Sequence, residues 1–187
     1  SSFTVEYPPL FFVHGIFSKA TSCWAQFEHW VKRDGWQFSD ITYDTHQSIR
    51  ESAKELKSRI QRFLESINNN GYYGRRSISA KKVYVIAHSM GGLVTRAYIT
   101  TPGLYQDNIR KVIMMGTPNQ GSDYTRLYRG ILEDMRNEVA LKEMRPDSPF
   151  LTDLNSREKM KALHSKPIEY YTIAGTGWVT ADFVVTG

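Results

Sequence analysis

The 187-residue sequence has a single cysteine, Cys23, which can neither close an internal disulfide nor supply a metal-ligand spacing. It has no apolar run longer than about five residues, against the roughly 20 that cross a bilayer, so no membrane span is expected. Its 13 glycines and 7 prolines follow no G-X-Y period, and no internal repeat is visible. Collagen-like, low-complexity and solenoid architectures are thereby excluded. Charge of one sign is not concentrated either. The balance of 24 Lys and Arg over 19 Asp and Glu leaves +5, yet apart from Arg75-Arg76 and Lys81-Lys82 the basic residues are scattered along amphipathic segments. That pattern reads as solvated surface. It lacks the basic stripe of a nucleic-acid binder, and no nucleic-acid partner is expected.

What is present suffices for a core. Hydrophobic residues make up 41% and aromatics 13%, in a chain of one-domain size, so residues 1–187 are read as a single domain. Leu10 to Val13 reads as a buried strand and is followed by a loop from His14 to Thr21. Residues 23–34 place Trp24, Phe27 and Val31 at helical spacing before Gly35, and residues 41–43 form a second short strand. The clearest period is Ile49, Ala53, Leu56, Ile60, Phe63, Leu64 and Ile67, with Ser48 and Glu51 as a capping box. Strands are expected at 82–87, 109–115 and 168–174, with a helix at 93–99 and helical pieces over 121–164 broken at Pro146 and Pro149. Such alternation predicts an α/β fold with a mostly parallel sheet and helices on both faces.

Between the strand at 82–87 and its helix lies Ala87-His88-Ser89-Met90-Gly91-Gly92. A sharp strand-to-helix turn with small residues two positions either side of a serine lifts its hydroxyl above the sheet edge, so Ser89 is the candidate nucleophile. A nucleophilic serine needs donors for the oxyanion, each worth roughly 2.7 to 4 kcal/mol. The Met90 N–H, at a helix start, is one candidate. The other is the Ile16 N–H, which Gly15 would let turn inward, while His14 is read as holding that loop by hydrogen bonds.

VHGIFS, AHSMGG, MMGTPNQGS at 114–122 and SPFLTDLN at 148–155 together resemble the bacterial lipases and carboxylesterases of the α/β-hydrolase fold, closest to the small compact type. The resemblance runs over residues 8–187. It implies hydrolysis of acyl or lipid esters without cofactor or metal, through an acyl-serine on Ser89 with the Ile16 and Met90 amides as the oxyanion hole. It also implies Asp182, ahead of Phe183-Val184-Val185, as the triad acid, which would orient an imidazole and stabilise its cation. Secretion is slightly favoured over the cytoplasm, and transient contact with a lipid interface is expected.

The triad order Ser, Asp, His asks for a histidine after Asp182, and none is present. The five histidines are His14, His29, His46, His88 and His164, and none suits the role by position. His164 belongs to the opposite edge of the sheet, His29 to a helix surface and His14 to the oxyanion loop. His88 would be turned away at the elbow, and His46 lies on the wrong side of the nucleophile strand. The expectation is therefore that a C-terminal strand, a histidine loop and a closing helix are missing from this sequence. Residues 117–165 occupy the position of a cap or lid, in which Tyr124, Leu127, Tyr128, Ile131, Leu132 and Met135 would either wall an acyl site or cover the sheet as an ordinary crossover helix. An acyltransferase or thioesterase would use the same machinery, and a non-catalytic scaffold of this fold is the alternative from another class.

Overall fold

The computed structural model describes residues 7–69, 73, 78–122, 138–175 and 183–186. Strand β1 (Leu10–Val13) is apolar and buried throughout, as a strand covered on both faces must be. It pairs in parallel with β2 (Phe38–Ile41) on one side and β3 (Val83–His88) on the other. Parallel β4 (Ile109–Met115) and β5 (Glu169–Gly175) follow, and β6 (Phe183–Thr186) closes the sheet antiparallel to β5, giving the order β2-β1-β3-β4-β5-β6. The fold is thus a mostly parallel α/β sheet with helices on both faces, as the alternation of elements predicts. Alternation along β1 divides the core. Leu10 and Phe12 pack with Trp24 and Val31, whereas Phe11 and Val13 face the cluster built by the helices of the other layer.

Helix α3 (Ile49–Asn69) buries Ile49, Ala53, Leu56, Ile60, Leu64 and Ile67, the stripe its period specifies. The Ser48 hydroxyl accepts from the Glu51 N–H at 3.2 Å, while the Glu51 carboxylate turns to Lys54 at 2.6 Å. Helix α4 (Met90–Thr100) runs from the end of β3 and is buried at every residue. Three short helices, α5 (Val139–Glu143), α6 (Pro149–Leu154) and α7 (Arg157–His164), precede β5. Pro149 starts α6 at a position where its missing N–H costs nothing, beneath the capping Ser148. Among the described residues, no helix is long and apolar enough to cross a membrane.

Three local expectations need correction. The helix read over 23–34 is two, α1 (Ala20–Cys23) and α2 (Ala25–Arg33), joined at Trp24, whose indole is buried and stacks on Phe12 at 5.1 Å. Strand β2 lies earlier than 41–43, because its register sets Phe38 across from Leu10 and Ile41 across from Val13. Tyr43 has left the sheet, and its hydroxyl donates to the His14 carbonyl at 2.5 Å. The segment after Asp182, where no strand was expected, carries β6, consistent with its β-branched Val-Val-Thr run.

Candidate active site

Ser89 joins β3 directly to α4 with φ 52° and ψ −125°. A non-glycine residue in that region carries roughly 1–3 kcal/mol of strain, and it persists only where the surroundings over-determine it. The surroundings do so here. The Ser89 N–H donates to the Met115 carbonyl at 2.9 Å, and its carbonyl accepts from the Gly92 N–H at 3.1 Å. On the strand side, Ala87 is fully buried between Val13 and Met114 in the sheet. On the helix side, a Cβ at Gly91 would stand 2.4 Å from the Val13 carbonyl oxygen and 2.6 Å from that of His14. One at Gly92 would stand 2.0 Å from Thr117 Oγ1. The two glycines let α4 dock on the backbone end of β1 and on the loop after β4.

The loop after β1 closes on the same serine. A Cβ at Gly15 would lie 2.8 Å from the Ser89 Cβ and 3.3 Å from His88 Nδ1, so proximity, not backbone freedom, requires glycine there. The positive φ falls two residues later, at Phe17 (56°). Ile16 is half-buried against the main core, and Met90, fully buried, opens the first turn of α4, where N–H groups present partial positive charge. Tyr43 fixes this loop through the His14 carbonyl, and the His14 ring stacks on the Tyr43 ring at 4.4 Å and 9°. Ser18 donates to the Gly15 carbonyl at 2.9 Å.

The structure brings together Ser89, Met90 and the loop bearing Ile16. Asp182 lies outside the described residues, as do Tyr124, Leu127, Tyr128, Ile131, Leu132, Met135 and the Arg75-Arg76 pair. The described neighbours of Asp182 are at the edge of Ser89. Phe183 is registered with Gly175 at the end of β5, and β5 is linked through Met115 to His88. Residues 117–122 and 138–165 of the expected cap region are described, the latter as α5 to α7 and their connections.

Each histidine has its own neighbours. His14 is buried, with Nδ1 2.8 Å from the Gly15 carbonyl, and burial pushes its pKa below the ordinary 6.5. His88 Nδ1 faces the Cys23 thiol at 3.8 Å beside the edge of Trp24, and desolvation lowers its pKa as well. Burial raises the pKa of the Cys23 thiol, which suits a structural cysteine better than a reactive one. His46 pairs with Glu138 at 2.9 Å, on the β2 side of the sheet away from β5 and β6. His29 lies exposed with its ring at the edge of Trp30, and His164 ends α7.

Three residues that shape this region were not singled out in the sequence. Tyr43 carried no visible signal, and Thr117 stood only as part of the 114–122 run, since their contacts are with segments distant in the chain. Arg96 did carry one, a cation inside the apolar Leu93–Ile99 stretch. It is 4% exposed and holds Asn119, Asn155 and the Leu154 carbonyl.

The fold is similar to that of the lipase BlEst2 of Bacillus licheniformis. In its propeptide form the match has TM-score 0.71 at 18% identity, covering 91% of this chain and 37% of that one. The mature form gives TM-score 0.67 at 19% identity, with 96% and 73% covered. The phospholipase PlaB of Legionella pneumophila gives 0.64 at 16% identity, with 92% and 40% covered. The chain therefore spans little more than a third of the propeptide form of BlEst2, and what it shares with these proteins is the lipase- and esterase-like α/β-hydrolase fold. No curated protein matches the sequence. A family model described as a domain of unknown function, DUF7379, matches residues 3–129, more than half of the chain and all of the elbow and its supporting strands, and the protein belongs to that family.

Proposed function

We propose that the protein is a serine carboxylester hydrolase acting on acyl or lipid esters. The observation that carries this reading is the strained bend at Ser89, set between the fully buried first turn of α4 and a loop whose glycine approaches the serine Cβ to 2.8 Å. The names of the similar folds, lipase and phospholipase, point to the same substrate class.

In this mechanism an imidazole takes the Ser89 hydroxyl proton as the oxygen bonds to the ester carbonyl carbon. The Met90 and Ile16 amides stabilise the oxyanion. The leaving alkoxide departs with the proton from the imidazolium, and an acyl-serine remains. Water, deprotonated by the same imidazole, then attacks that ester, and the carboxylic acid is released as Ser89 recovers its proton. Asp182 orients the ring and stabilises its cation. The base is proposed to be an imidazole that Asp182 orients; His14 is held at the Gly15 carbonyl, His46 at Glu138 and His88 at Cys23. The apolar positions between Tyr124 and Met135 are proposed to border the acyl chain.

The test is hydrolysis of p-nitrophenyl butyrate and p-nitrophenyl laurate by the natural full-length protein and by Ser89→Ala. Turnover that falls at least about 10³-fold in the variant, at unchanged thermal stability, is expected. Equal rates in both proteins, or a folded wild type that turns over neither ester, would overturn the reading, the second result favouring a binding scaffold.

A further inference from the structure

Arg96 is a cation in the wrong place for a solvated one. It sits mid-way along α4, 4% exposed, and its guanidinium donates to the Asn119 side-chain oxygen at 3.0 Å, the Asn155 side-chain oxygen at 2.8 Å and the Leu154 carbonyl at 3.1 Å, with Met160 Sδ at 3.4 Å. All four acceptors are neutral. Among the described residues no carboxylate forms an ion pair with it. The ionisable group that acts on it is the Tyr170 phenol, which burial keeps protonated by raising its pKa. A buried charge met only by dipoles keeps a large part of its desolvation penalty uncompensated, and an anion brought against it recovers that loss.

Space for such an anion exists. A cavity of about 300 Å³, at the lower end of the range for ligand pockets, opens beside the guanidinium. Arg96, Asn119, Asn155 and Tyr170 supply its polar lining, and Met114, Met160 and Leu163 its apolar lining. Exposed Gln120 and His164 form its open rim. A planar guanidinium matches a carboxylate in geometry, and the thioether and leucine wall suits an alkyl chain.

We propose that this cavity is a binding site for a small carboxylate with a short apolar tail, its head against Arg96 and its tail along Met114, Met160 and Leu163. The loop that supplies Asn119 and Gln120 also supplies Thr117, which seats Gly92. A ligand here therefore tightens the loop that supports α4, whether or not the protein hydrolyses esters.

Calorimetric titration of the full-length protein with hexanoate, hexanamide and inorganic phosphate tests this directly. Hexanoate should bind saturably, at least tenfold more tightly than either hexanamide or phosphate. Gln120→Glu puts a tethered carboxylate in the cavity that competes for Arg96 and repels the ligand, and it should weaken hexanoate at least tenfold without lowering the unliganded melting temperature. Arg96→Met should abolish binding. If that variant does not fold, Gln120→Glu and His164→Glu decide the matter. Absence of saturable hexanoate binding to the folded wild type, equal affinity for hexanamide, or undiminished binding by Gln120→Glu would each overturn the proposal, and phosphate binding as tightly as hexanoate would overturn its apolar half.

Discussion

Helices α3 and α4 pack against each other on one face of the sheet and are built on opposite principles. The longer, α3, is 21 residues with one buried stripe, and its outer face carries charged residues paired within the helix, as Lys54 with Glu51, or across to a neighbour, as Arg50 with Asp153. The shorter, α4, is 11 residues with no solvent face, and it begins on a residue whose backbone is strained. Apolar area holds the first in place. The second is fixed by individual fits: Gly91 on the β1 backbone, Gly92 on Thr117, Arg96 on four acceptors. Strain at Ser89 survives because the helix that follows has nowhere else to go.

If that contrast is right, removing atoms should hurt α3 and adding them should hurt α4. Leu56→Ala, deleting a fully buried side chain from α3, should cost about 2–5 kcal/mol in urea unfolding. Gly91→Ala adds one methyl where the Val13 and His14 carbonyls leave no room, and should cost about 1–3 kcal/mol although alanine is the better helix former. A stabilised Gly91→Ala would break the comparison.

A smaller effect of opposite sign sharpens it. Ser89→Gly should stabilise the fold by about 1 kcal/mol, because glycine occupies φ 52° without strain, while any activity disappears. Equilibrium unfolding of this variant beside Ser89→Ala, which keeps the strain, isolates the backbone contribution.

The smallest effect is a pH dependence to which two histidines on the elbow side contribute. Burial lowers the pKa of both His14 and His88 from 6.5, so the folded state binds fewer protons than the unfolded chain. Their contribution is complete above about 6.5 and is lost as pH falls from there toward the depressed folded values. Unfolding measured at pH 7.5 and 5.5 should show lower stability at the acid end, with a shallower difference in His88→Asn and an unchanged one in Leu56→Ala.

The same contrast explains what could be read in advance. Helix α3 was legible from its period, and β1, β3, β4 and β5 from short apolar runs. Helix α4 has no amphipathic period because it is buried all round, and the turn chemistry of AHSMGG revealed it instead. Strand β2 was misplaced because its four residues, Phe-Ser-Asp-Ile, hold neither an apolar run nor an alternation. The loop-holding role of Tyr43 was not legible, because it reaches His14 29 positions away, and although Arg96 stood out as a cation in an apolar stretch, its partner Asn155, 59 positions on, did not.

The central claim, that the bend at residue 89 presents a nucleophilic hydroxyl, is tested most directly by mass spectrometry of the folded full-length protein after exposure to a fluorophosphonate. A single phosphonyl adduct on the peptide containing Ser89, absent after denaturation and absent in Ser89→Ala, is the predicted result. A folded protein that acquires no adduct there, or one labelled equally well when unfolded, would contradict it.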